Sequence, residues 1–464
     1  MSALTPGPVG SHHNSRFMIL RVIWRCSELT WHGCRELFCL PFDPQLYRKE
    51  EASIALGKSL ASLLERLGPT FIKLAQVLSS RPDVLSPALT EPLSRLCEHV
   101  RPIPRGQIAG LLSAGLGVPS SHIFRDFEWS PTACGSISQV HRAHLKGGEA
   151  VAVKIRRPNA VPAIRADLLL LRCLAVCFQR FFTLRGIPLL LLINEFGRIL
   201  EDQLDFRMEA DNMRRFRSIL GHLPDVIVPR VYLEWSSDSV LIMEYMCDLN
   251  RIGDLQLSEE KRHQAARSCV NVLYTMTFTH GFVHNDLHPG NLFFRSSGEI
   301  VLVDFGMVTE LEGPDLRSFA HFFFGMVTNQ GQQCAQVIYD SALSLAPTFD
   351  FARFEDDMRE MISRHASQRA GEFEVSRFAC ELFQIQRRHG LCGSPKFVSV
   401  ILAFVVLEGI VKQLYPPLNF MSQARIFIPG VISNMRITGD TRPNRDASLL
   451  KTISNREEAS IGAA

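Results

Sequence analysis

The chain has 464 residues, 46% of them apolar, enough to bury a large core in more than one unit. Its net charge of +3 comes without a basic block or a basic stripe interleaved with aromatics, which excludes a dominant nucleic-acid role. The 12 cysteines are scattered with no C-x-x-C, a pattern of buried reduced thiols rather than of a disulfide or zinc framework.

In chain order, residues 1–27 carry Arg16, Arg21 and Arg25, no acid, and short apolar runs between them. This fits a weak organelle-targeting segment or an interfacial amphipathic helix, and equally a plain leader packed on the first helix. A cleaved secretory signal is disfavoured because Arg21 and Arg25 interrupt the run. We treat 1–46 as a leader and 47–119 as a helical extension, with helices over 54–67 and around Lys73. Strands are expected near 123–129, 137–145 and 150–155, the last two joined by a turn at Gly147-Gly148. Helices fall within 162–182 and 189–220, and strands at 231–235 and 239–245. Residues 120–247 thus read as a lobe built on a sheet, and 248–437 as a mostly helical lobe opening on an apolar-periodic helix over 261–280. The apolar runs 189–193 and 397–407 are expected to be buried helices, the second stopping at Glu408 and too short to cross a bilayer. No transmembrane helix is evident, and the polar tail 438–464 is expected to be disordered.

The chemistry concentrates downstream. His284-Asn285-Asp286-Leu287, with Asn291 five residues after Asp286 and Asp304-Phe305-Gly306 a short hairpin further on, has the spacing of a protein-kinase catalytic loop and metal-binding turn. Phosphoryl transfer needs a carboxylate beside the incoming nucleophile, a place Asp286 can fill, and oxygen ligands for Mg²⁺, which Asn291 and Asp304 can supply. Upstream, Val151-Ala152-Val153-Lys154 ends a strand in the lysine that would hold the α- and β-phosphates of ATP. Glu244-Tyr245-Met246 reads as the hinge whose backbone meets adenine. No G-x-G-x-x-G precedes the lysine strand. The chain instead has Ala133-Cys134-Gly135-Ser136, whose small side chains admit phosphate to the backbone N–H groups while Ala and Cys restrict φ.

With these residues the chain resembles the UbiB family of atypical kinase-like proteins. That family carries an alanine-rich loop before a Q-V-H segment, here Ala133 to Ser136 and then Gln139-Val140-His141, and a catalytic loop ending H-P-G-N, here His288-Pro289-Gly290-Asn291. It also carries a helical extension with a Lys-x-Gly-Gln motif, matched by Lys73-Leu74-Ala75-Gln76, and a segment matched by Asp205 to Asn212. The resemblance runs from about Tyr47 to Pro429. It implies an α+β, two-lobed kinase-like fold with the extension over the cleft, placing Lys73, Gln76 and Asp205 there and pairing Glu209 with Lys154. The chain departs from the pattern at Ala75, where relatives have Gly, and at Gln203, where relatives have an acid answering the extension lysine. Asp205 or Glu201 must then serve, or the contact weakens. Gly135 stands for a third Ala, which would relax the backbone beside the phosphates, and His288 for the lysine that Ser/Thr kinases often carry.

After the metal-binding turn the chain enters a helix quickly and no A-P-E sequence appears, so a platform for protein substrates is not recognisable. The resemblance therefore implies a Mg²⁺-dependent ATPase or kinase binding ATP (or ADP) and supporting ubiquinone or related isoprenoid-lipid metabolism. The alternatives are a kinase acting on an unidentified protein and a nucleotide-gated pseudokinase. The partners so implied are the nucleotide, an isoprenoid lipid or membrane surface, and biosynthetic proteins. The location so implied is cytoplasmic or peripheral at a membrane surface, with a mitochondrial alternative.

Overall fold

The structure is a computed structural model that describes residues 49–79, 85, 87–94, 102–181, 189–367 and 373–418. The readings of the leader and of the tail lie outside the described residues.

Among the described residues, four α-helices precede the sheet: α1 (Lys49–Leu67), α2 (Pro69–Ser79), α3 (Pro87–Ser94) and α4 (Arg105–Leu116). The sheet has strands β1 (Phe124–Phe127), β2 (Ala133–Cys134), β3 (Ser138–Leu145), β4 (Ala150–Arg156) and β6 (Val240–Glu244), with the short β5 (Val226–Ile227) lying elsewhere. It is antiparallel, in the order β1-β3-β4-β6 with β2 on β3. The expected strand at 231–235 is corrected: Val231 makes a single bridge to Met243, and Leu233–Trp235 then turns as a 3₁₀ helix. The i→i+3 bonds Trp235 N–H to Tyr232 O and Ser236 N–H to Leu233 O curl the chain away from the ladder.

Between β4 and β6 lie α5 (Ala160–Phe181), α6 (Leu189–Leu204) and α7 (Phe206–Leu220). The expected helical stretch 189–220 breaks at Asp205, whose extended backbone (φ −103°) and carboxylate, accepting from Arg207 N–H at 3.0 Å, cap α7. The run 189–193 is amphipathic rather than buried, since Leu191 is exposed and Ile193 is not.

The second lobe contains α8 (Glu259–Tyr274), β7 (Phe282–His284), β8 (Leu292–Phe294), β9 (Ile300–Leu302), β10 (Val308–Glu310) and α9 (Gly313–Val327). It continues with α10 (Gly331–Asp340), β11 (Ser344–Leu345), α11 (Phe351–Ser367), α12 (Val375–His389), β12 (Leu391–Cys392) and α13 (Pro395–Leu414). The helix expected over 261–280 ends in a π-helical turn at Thr275–Thr279. Gly281 follows with φ 60°, where a Cβ would stand 2.4 Å from Leu311 O, so only glycine lets β7 meet the strand after the metal-binding turn.

Among the described residues, three apolar clusters organise the molecule. Ile108 and Leu112 of α4 pack on the outer sheet face with Val151, Val153 and Ile155. Phe71, Leu74 and Ala75 of α2 pack against Ile164 and Leu168 of α5 and Phe196 and Leu200 of α6. The third cluster fills the helical lobe and reaches Phe206, Met213 and Phe216 of α7.

The apolar run read as ending at Glu408 is corrected: α13 continues to Leu414 and is, among the described residues, long and apolar enough to cross a membrane. Most of its apolar window is buried in the lobe, beside rings such as Phe278 and Phe319. Glu408 does not stop the helix because it has work inside: its carboxylate, 3% exposed, accepts from the N–H groups of Val375 (2.8 Å) and Ser376 (3.0 Å) at the start of α12. Glu408→Leu should therefore leave buried donors unpaired and cost about 1–3 kcal/mol, read as a lower urea midpoint; an unchanged midpoint would remove this role.

Candidate active site

Alternation along β4 decides what faces the cleft. Val151, Val153 and Ile155 take the α4 side, so Ala152 and Lys154 take the other. Lys154 Nζ donates to Glu209 Oε1 at 2.8 Å and Oε2 at 2.9 Å, and lies 3.4 Å from Asp304 Oδ2. Lys154 is 7% exposed and Glu209 3%. Burial works against the ammonium, but Asp304 and Glu209 outweigh it and hold the lysine's pKa above its ordinary value. Glu209 reaches Lys154 because α7 turns Phe206, Glu209, Ala210 and Met213 inward at helical spacing.

Arg156, two residues beyond the lysine, sets where α7 begins. Its guanidinium donates to Leu204 O, the last residue of α6, to Asp238 O at 2.8 Å and to Asp238 Oδ2 at 3.1 Å. The sequence offered no signal for this brace.

Phe305 is fully buried between Phe216 and His284, each ring 5.1 Å away, and its carbonyl accepts from Asn212 Nδ2 at 3.0 Å. That packing turns Asp304 into the cleft at φ 57°, a strained conformation for a non-glycine residue. Partial withdrawal from water opposes ionisation of Asp304, whose side chain stays 49% exposed. Lys154, then Lys73, the Gly306 N–H and His284 more than offset that, and its pKa falls to about 2. The ionised carboxylate's contribution to stability is thus present above the ordinary carboxylate pKa and lost only as pH falls through about 2.

Asn291 Nδ2 donates to Asp286 O and Oδ2, both at 3.0 Å, and Val303 N–H donates to Asn291 O at 2.9 Å, so the loop over 284–291 and the Asp304 turn are one unit. Gly290 N–H donates to His288 Nδ1 at 2.9 Å. The proton of the neutral ring is therefore on Nε2, which faces Asp286 Oδ1 at 3.5 Å.

The loop over residues 133–136 is held without glycine freedom. Gly135 N–H donates to Ser138 O at 2.9 Å and Arg157 Nε donates to Gly135 O at 2.7 Å. Gly135 has no positive φ, and a Cβ there would meet nothing closer than Ser138 O at 3.7 Å, so the expected relaxation of the backbone is corrected: alanine would fit. Beneath the loop, Gln139 Oε1 accepts from Ile103 N–H at 2.6 Å and Nε2 donates to His141 Nε2 at 2.8 Å, whose Nδ1 then donates to Glu128 O at 2.8 Å. Both side chains are fully buried, and burial lowers the His141 pKa, in keeping with this neutral relay. At the hinge Tyr245 N–H donates to Ala150 O at 3.1 Å, and Glu244 uses its carboxylate on Arg230 N–H at 3.1 Å.

In the extension, Lys73 on α2 lies near enough to Asp304 to lower its pKa, and Gln203 sits against Gly306, its Cγ 3.5 Å from where a Cβ would be. Asp205 is not the lysine's partner: it caps α7 and holds Arg207 Nε at 3.1 Å. Gln76 is partly buried one turn further along α2. The structure thus brings Lys154, Glu209 and Asp304 together, joins Asn291 to Asp286, and leaves the charge of Lys73 close enough to Asp304 to favour its ionised form.

Comparison with known proteins agrees with this architecture. The ABC1 atypical kinase-like domain matches residues 95–338 and the UbiB helical domain residues 358–419. The chain belongs to the ABC1/UbiB family of atypical kinase-like proteins. It is 29% identical over 386 residues to a protein of Marinobacter nauticus named probable protein kinase UbiB, covering 82% of this chain and 70% of that one. It is 29% identical over 417 residues to an uncharacterized protein of Synechocystis, covering 88% of this chain and 72% of that one. A solved Mycobacterium tuberculosis structure, titled as the complex of Rv3197 with erythromycin, superposes with a TM-score of 0.54 at 23% identity, covering 80% of this chain and 94% of that one; it shows the shared fold.

Two measurements probe this geometry. Glu209→Leu should cost about 3–5 kcal/mol by chemical denaturation, with the added change Lys154→Met restoring most of it, because an unpaired buried charge costs more than a missing pair. Gln203→Glu should raise amide-exchange protection over residues 69–79 and Lys73→Ala should lower it; equal protection in both would reduce α2 to a packed helix.

Proposed function

We propose that this chain binds ATP with Mg²⁺ and turns it over as a UbiB-type ATPase or kinase supporting ubiquinone or related isoprenoid-lipid metabolism. The observation that carries the reading is the convergence on one cleft of a buried, carboxylate-paired lysine, an ionised Asp304 and an Asn291–Asp286 pair. The donor set fits the group: an anionic carboxylate and an amide oxygen are hard ligands of the kind Mg²⁺ takes, and Asp304 keeps 49% of its side chain open to solvent. Mg²⁺ would supply charge neutralisation between the phosphates. Lys154 would hold the phosphates with its charge fixed by Glu209, the loop from Ala133 to Ser136 would offer backbone N–H groups, and Glu244 to Met246 would meet the base. Asp286 would accept the nucleophile's proton, with Asn291 and His288 fixing its carboxylate.

The second reading, phosphorylation of a protein, is favoured by the names of relatives such as that of Marinobacter nauticus. Against it stand the missing A-P-E sequence, the entry into α9 at Gly313 directly after β10, and α2 lying against the turn. The link to isoprenoid lipids rests on the family name and not on a feature of the cleft.

Phosphate release by the purified chain, with and without isoprenoid-like lipids, tests the proposal. Asp304→Asn should abolish the thermal stabilisation that Mg·ATP gives, since it removes the charged metal contact. Asp286→Asn should keep that stabilisation and slow turnover by roughly two to four orders of magnitude. Equal stabilisation in Asp304→Asn, or unchanged turnover in Asp286→Asn, would refute the respective assignment.

A further inference from the structure

The strand that carries Lys154 is followed by an arginine pair whose side chains diverge. Arg156 reaches the end of α6 and the Asp238 loop, whereas Arg157 reaches the loop over residues 133–136. The turn after β4 sets where Arg157 sits. Ala160 N–H donates to Arg157 O at 3.3 Å, with Pro158 second in the turn and Asn159 third at φ 61°, the pattern of a type II turn. Proline fixes its own φ in advance, and asparagine is among the few residues that accept the left-handed region, so the chain leaves β4 at a defined point.

Residue 157 meets the hairpin between β2 and β3 at two points. Its N–H donates to Ile137 O at 2.8 Å and its Nε to Gly135 O at 2.7 Å, while Gly135 N–H closes the hairpin on Ser138 O at 2.9 Å. A loop of this kind offers an anion either carbonyl oxygens, which repel it, or N–H groups, which bind it. The Gly135–Ser136 peptide is trans, so its N–H, that of Ser136, points opposite to the carbonyl that Arg157 holds. The donor to that carbonyl is charged, which polarises the peptide unit and strengthens its N–H. Ile137 adds a second hold, its side chain packing against the apolar cluster of α2, α5 and α6. Lysine could not take the place of Arg157, because arginine has Nε where lysine has a methylene, and the ammonium lies one atom further out.

We propose that Arg157 is a positioning residue for nucleotide recognition: it holds the Gly135 and Ile137 carbonyls away from the phosphates, so that the loop favours a polyphosphate nucleotide over the bare nucleoside. It acts through the backbone that it holds and not by touching the nucleotide. A hydrogen-bonded clamp thus does here what glycine freedom does in an ordinary kinase loop. The role rests on the nucleotide reading above and adds to it the residue that sets the loop's preference for phosphate.

Titration calorimetry of the whole chain with Mg·ATP, Mg·ADP and adenosine, in wild type, Arg157→Met and Arg157→Lys, tests this role. Arg157→Met should weaken Mg·ATP by about tenfold or more, the scale of a charge-assisted hydrogen bond, and Mg·ADP in the same direction. Adenosine, which meets the distant hinge, should change by less than about twofold. Arg157→Lys keeps the charge and loses the Nε donor, so its ratio of Mg·ATP to adenosine affinity should fall with that of Arg157→Met. An arginine that only stabilises the fold would weaken all three ligands alike, and one that acts only by its charge would be rescued fully by lysine; either result would overturn the proposal. If Arg157→Met does not fold, Arg157→Lys decides alone, an unchanged ratio overturning the role. Wild-type binding of Mg·ATP with unchanged ratios in both variants would keep the proposed function and remove this role. A wild-type chain that binds none of the three would refute the proposed function, and this role with it.

Discussion

A buried ammonium has to be answered by carboxylate, and much of this molecule is arranged around answering Lys154. Its strand is covered on both faces, so water cannot solvate the charge, and Glu209 must arrive from a helix far along the chain. That helix is placed at its start by the Asp205 cap and by Arg156, which gathers the end of α6 and the Asp238 loop. Its inner face then buries Phe305, and the burial of Phe305 in turn forces Asp304 into a left-handed conformation facing the lysine. One charge requirement thus links the sheet, the inserted helices and the Asp304-Phe305-Gly306 turn.

The loop over residues 133–136 is fixed by other means than glycine freedom. Where an ordinary kinase uses glycines, this chain uses a short strand, β2, and hydrogen bonds from outside the loop. Arg157 holds the carbonyl of Gly135, and the buried Gln139–His141 relay ties the floor of the loop to Ile103 and Glu128. Such a loop is held by its surroundings rather than by its own backbone freedom, which is why Gly135 could be alanine.

The extension is bound to the kinase-like body in two ways. Apolar packing of α2 on α5 and α6 provides the area, and the charge of Lys73 adds to the field at Asp304. Because Asp304 is also the carboxylate suited to a metal, whatever enters the cleft alters the field that Lys73 feels.

The sequence by itself determined the elements with short-range signatures. The spacing of Asp286, Asn291 and Asp304 is local, and alternation in β4 alone puts Lys154 opposite Val153 and Ile155. Matching the Asp205–Asn212 segment to relatives was enough to choose Glu209. Tertiary structure decided what depended on groups distant in sequence. Gln203, where relatives carry an acid, left Asp205 or Glu201 to answer Lys73, but Asp205 is consumed by the α7 cap, and the charge of Lys73 is felt at Asp304 instead. Glu408 looked like the end of an apolar helix because its partners, the first N–H groups of α12, lie some thirty residues away. The strand expected at 231–235 had suitable residues and lost its place in the ladder to a turn. In each case a side chain's type was legible in the sequence, but its partner was not, because an unpaired buried charge or N–H group is satisfied by whatever the fold brings near and not by its neighbours in the chain.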